Sequence, residues 1–136
     1  MSGIINRKSS SEIYLRRQDM DEVFEKYEGA IIKETLTDEN ILDHIQIEKV
    51  EVRKTHETIK YWTMIFFKSY VSDFPERLSK VLIDGWFADM KCNNTKFIIF
   101  RNRVLRYEIG NYDEKQVVLN ICRAMGIPDE QFGWSE

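Results

Sequence analysis

The stretch Gly85-Trp86-Phe87-Ala88-Asp89-Met90-Lys91-Cys92-Asn93-Asn94-Thr95-Lys96-Phe97-Ile98-Ile99-Phe100-Arg101-Asn102-Arg103-Val104-Leu105-Arg106-Tyr107-Glu108-Ile109-Gly110 decides the fold. β-Branched and aromatic residues dominate it, as a pleated, half-buried surface prefers. Two short polar pairs interrupt it, Asn93-Asn94 and Arg101-Asn102. Asparagine tolerates the positive φ that two-residue hairpin turns need. The stretch therefore reads as three antiparallel strands joined by two tight turns.

The segments on either side supply helices. Asp113 to Met125 places Asp113 and Glu114 at a helix's positive end and Val117, Val118, Ile121 and Cys122 inward. Gly126 ends that helix and Pro128 prevents its continuation. Upstream, Ser72-Asp73-Phe74-Pro75 offers a cap and an early proline for a helix through Leu82, burying Leu78, Val81 and Leu82. Before it lie two strands. Ile47 to Arg53 alternates and predicts a strand with one wet face. Ile59 to Lys68 is apolar on both faces and predicts a covered central strand. A short helix after Thr37 would bury Ile41, Leu42 and Ile45.

Further upstream the reading is helical again. Asp19 and Glu22 form a capping-box-like pair, and Met20, Val23, Phe24 and Tyr27 make one apolar stripe that Gly29 would end. Glu12 to Arg16 predicts a short strand or an ordered lead-in. Residues 1–11 are small, polar and Ser-rich and predict a flexible tail. The expected fold is α+β: an antiparallel sheet of about five strands with N-terminal and C-terminal helices packed on it, one domain over 12–136.

A chain of 136 residues can bury a real core in one domain. Its net charge of −3 is too small to imply a polyanionic partner. Two cysteines, Cys92 and Cys122, do not make a disulfide framework at this size and read as buried thiols in a reducing compartment. The N-terminus has the form of no signal peptide, and no apolar run approaches a membrane span, so the expected address is the cytoplasm. Charge is nonetheless segregated. Residues 19–57 are rich in acids, whereas 91–106 hold Lys91, Lys96, Arg101, Arg103 and Arg106 with no acid.

Little of this points to catalysis. His44 and His56 are the only histidines, and no metal-ligand spacing is present, so neither a metal site nor a cofactor is expected. The sharpest enzymatic pattern is Asp84 followed by Asp89-Met90-Lys91. An acid-x-Lys pair shares one strand face, and with an upstream acid it can hold a divalent cation against a phosphate. That predicts a metal-dependent nuclease as the alternative, and the basic, aromatic hairpin would serve nucleic-acid binding. The reading that conflicts least with so few catalytic groups is a non-catalytic domain that binds another protein. Its expected contact residues are Asp89, Lys91, Arg101, Arg103 and Arg106.

From Gly85 onward the chain resembles a small family of bacterial conserved proteins, some in mobile or phage-like settings. The likeness rests on Gly85 to Lys91, on Asn94 to Tyr107, and on the ending Gly126-Ile127-Pro128-Asp129-Glu130-Gln131-Phe132-Gly133-Trp134. It implies a small bacterial cytoplasmic domain and no particular activity.

Overall fold

The computed structural model describes residues 25–136. The tail over 1–11, the segment at Glu12–Arg16 and the helix start at Asp19 lie outside the described residues.

Six strands form one antiparallel sheet: β1 Tyr27–Ile32, β2 Gln46–Lys54, β3 Tyr61–Ser69, β4 Phe87–Cys92, β5 Thr95–Phe100 and β6 Arg103–Glu108. Their spatial order is β2-β3-β1-β4-β5-β6. Two α-helices, α1 Phe74–Ser79 and α2 Tyr112–Ala124, and three 3-10 segments complete the described chain. No helix among the described residues is long and apolar enough to cross a membrane.

The meander forms where the sequence places it. Cys92 pairs with Thr95 and Phe100 with Arg103, leaving two-residue turns, and Asn93 and Asn102 take φ values of 54° and 59°. Helix α2 begins at an Asn111 cap whose Oδ1 accepts from the Glu114 amide, and Val118, Leu119 and Cys122 are buried. Val117, expected inward, is exposed.

The main correction is β1. The sheet has six strands rather than five, and the sixth is the segment read as the end of a helix. Tyr27–Ile32 lies at the sheet's centre, pairing with β3 on one side and β4 on the other. Tyr27 and Ile31 are buried, and Gly29 sits on their face between Phe67 and Met90. Local helical spacing gives way because the segment pairs with β3 along its whole length and with β4 over Tyr27 to Ala30, which gives its backbone groups partners. The helix expected after Thr37 is a 3-10 turn over Glu39–His44, started by Asp38 accepting from the Asn40 amide.

The two faces of the sheet are covered unequally. On one face Tyr27, Ile31, Ile65, Phe67, Met90 and Phe97 meet Phe74 and Leu78 of α1, Leu82 and the 3-10 residue Ile41. On the other face α2 covers only the meander, packing Val118 and Cys122 on Ile98, Phe100 and Tyr107. The last residues, Phe132 and Trp134, extend that second core. Among the described residues no helix lies over the half of this face built by β1, β3 and β2.

Candidate functional site

The sequence-predicted residues fall into three places. Asp89 and Lys91 alternate with buried Ala88, Met90 and Cys92, so both project from the face that carries α2. Lys91 stands directly opposite Lys96 on β5. Like charges so placed repel each other, and the two lysines find separate partners. Lys96 Nζ donates to Asp89 Oδ1 at 2.7 Å and to the Ser135 carbonyl. Lys91 Nζ donates to the Glu136 carbonyl at 3.3 Å.

Lys96 is only 3% exposed. In the sequence it is one member of the basic block over 91–106 and is not among the expected contact residues. Sequence reading missed that Lys96 is in phase with Ile98 and Phe100, on a face that the last residues cover. The same tail forms a second polar knot: Trp134 Nε1 donates to Tyr107 Oη at 2.9 Å, Tyr107 donates to the Glu136 carboxylate, and Lys115 Nζ lies 3.2 Å from that carboxylate. The Tyr107 bond, with Lys115 beside it, holds the Glu136 carboxyl below its ordinary range. Burial and that bond push the Tyr107 phenol up.

Asp84 stands apart. It lines a hollow with Arg101 and Gly126, whereas Asp89 and Lys91 line another beside Glu28 and Glu136. Among the described residues no three His, Cys, Asp or Glu side chains are grouped to hold a metal. Arg101, Arg103 and Arg106 are exposed on and beside β6, one edge of the sheet. Burial pushes the thiols of Cys92 and Cys122 up, and both are free, which suits structural rather than nucleophilic cysteines.

Two further features emerge only in three dimensions. The first is the opposite sheet edge. Among the described residues β2 pairs with β3 alone. Register places Ile47, Val50, Val52 and Tyr61 on one face of the β2–β3 hairpin, and each is more than half exposed, Val52 at 67%. The other face of β2 carries Lys49, Glu51 and Arg53, with Glu51 bridging both cations at 2.9 and 2.7 Å. A bulge interrupts the register between Ile47 and Lys49.

The second is a cleft of about 510 Å³ along the uncovered half of the sheet. The chain's three tryptophans, Trp62, Trp86 and Trp134, all line it, together with Phe87. Trp62 and Trp86 meet edge to face at 5.7 Å, and Phe87 and Trp134 do so at 6.0 Å. They come from β3, from the loop before β4, and from the last residues, so no local motif announces them.

No family model, no curated protein and no solved structure matches the chain.

Proposed function

We propose that this chain is a non-catalytic domain that binds another protein, which adds a strand to the outer edge of β2. The observation that carries this reading is the stripe Ile47, Val50, Val52 and Tyr61 beside an edge with no described neighbour. An extended partner segment gains backbone hydrogen bonds along such an edge and buries alternate side chains on the stripe. Contiguous exposed apolar surface on an edge strand is otherwise a liability for a soluble protein.

The two edges of the sheet differ in kind. Edge strand β6 carries Arg103 and Arg106, with Arg101 just before it, and charges of that sort discourage strand pairing. On this reading those arginines speed and orient the encounter with an acidic partner surface, while Lys91 and the Asp89-paired Lys96 hold the tail that frames the sheet. The two buried free thiols suit a reducing cytoplasm. Phosphodiester cleavage would need Asp84, Asp89 and Lys91 to converge. Asp84 lines a different hollow, and Asp89 already serves Lys96.

The test is capture of partners from the native host on three immobilised proteins: the native chain, a Val50→Lys/Val52→Lys variant, and an Arg101→Ala/Arg103→Ala/Arg106→Ala variant. Strand addition predicts a protein retained by the native chain and lost on the valine variant. Equal retention on the native chain and the valine variant refutes it.

A further inference from the structure

The tryptophan cleft has walls and a charge that select a guest. Trp62, Trp86, Phe87 and Trp134 present ring surface from three separate segments, and all four rings are only partly buried. Its acidic residues are Glu57, Asp89 and Glu130, and neither lysine nor arginine lines it. Asp89 is neutralised by Lys96. Among the described residues Glu57 and Glu130 have no ion-pair partner, and both are exposed at the rim. The cleft therefore combines aromatic faces with an uncompensated negative rim.

Aromatic faces attract cations through the ring quadrupole, and tryptophan does so best. The rim carboxylates add attraction at longer range and repel phosphates, so a nucleotide does not fit. Among cations, a primary ammonium or a guanidinium needs several acceptors to replace its water. The aromatic walls offer none, and the unpaired carboxylates, Glu57 and Glu130, are exposed at the rim, in water. A quaternary ammonium has no N–H to satisfy and a weakly held water shell.

We infer that this cleft binds a quaternary ammonium group, carried either by a small choline-like molecule or by a trimethylated lysine side chain. The site lies on the face opposite Val50 and Val52, so it does not depend on strand addition at β2.

The protein carries its own reporter, because every tryptophan lines the cleft. The experiment titrates tryptophan fluorescence with choline, with N-acetyl-trimethyllysine methylamide, and with 3,3-dimethylbutan-1-ol, the neutral isostere of choline. Ionic strength is held constant with sodium chloride. The expected result is a saturable change with at least one cation and binding of the neutral isostere at least about tenfold weaker. The tighter of the two cations identifies the source.

Trp86→Leu should weaken the cation about tenfold. Glu57→Gln/Glu130→Gln, confined to exposed side chains, should weaken it about threefold at low salt and leave the isostere unchanged. If Trp86→Leu fails to fold, the carboxylate variant decides. Equal binding of choline and its isostere, or fluorescence no different from the sodium chloride control, overturns the inference.

Discussion

Lys96 Nζ lies 2.7 Å from Asp89 Oδ1, with the lysine buried and the aspartate about one-third exposed. This acid is therefore the counter-ion of a buried cation. The two residues should respond unequally to substitution. Asp89→Ala strands the Lys96 charge, and breaking a fully buried pair in this way costs about 3–5 kcal/mol. Water reaches Asp89, so a loss of about 2 kcal/mol is expected. Lys96→Met removes the charge and keeps an apolar stem, so it should cost less than Asp89→Ala. Urea denaturation of both variants checks the order.

Gly29 makes a sharper prediction. A Cβ at this position would meet the Asp89 carbonyl oxygen at 2.6 Å and the Met90 Cα at 3.0 Å. Both are atoms of the neighbouring strand, which cannot give as a flexible side chain would. Gly29→Ala should therefore force β1 from β4 and cost roughly 3 kcal/mol. Ala30→Gly, one residue on and on the opposite face, should cost about 1 kcal/mol or less. Thermal unfolding of the two variants separates close approach from a general intolerance of change in β1.

The clamp on Glu136 sets an acid limit. Its carboxyl is held below the ordinary value of 4.5 by the Tyr107 bond and then by Lys115. A depressed carboxyl contributes stability that is present above its unfolded pKa and lost as pH falls through its folded one. Native protein should thus lose stability below about pH 4.5, and Glu136→Gln should lose less over the same interval. Tyr107→Phe should flatten the same part of the profile, because it removes the first cause of the shift. Denaturation midpoints from pH 6 to 3 measure both slopes.

The meander and α2 were legible because their signals are local. Asparagines stand at the turns, alternation runs between them, and a cap and a glycine bound the helix. β1 was not legible. Tyr27-Glu28-Gly29-Ala30-Ile31-Ile32 becomes a strand by pairing with residues 64–69 and 89–92, and no window of sequence contains those partners. The burial of Lys96 was not legible for a related reason, since its cover arrives from Ser135 and Trp134. The tryptophan cleft depends on which half of its face α2 leaves bare, and the β2 stripe lies on the opposite face, where a bulge brings Ile47 into line with Val50 and Val52. That is a property of topology rather than of any motif.

Strand addition at β2 is tested most directly by amide hydrogen exchange over Gln46–Lys54 in the captured complex and in the free chain. Binding along the edge should slow exchange across that strand about tenfold or more and leave Arg103–Glu108 unchanged. Protection of Arg103–Glu108 with β2 exchanging at its free rate would contradict strand addition and place the contact on the meander.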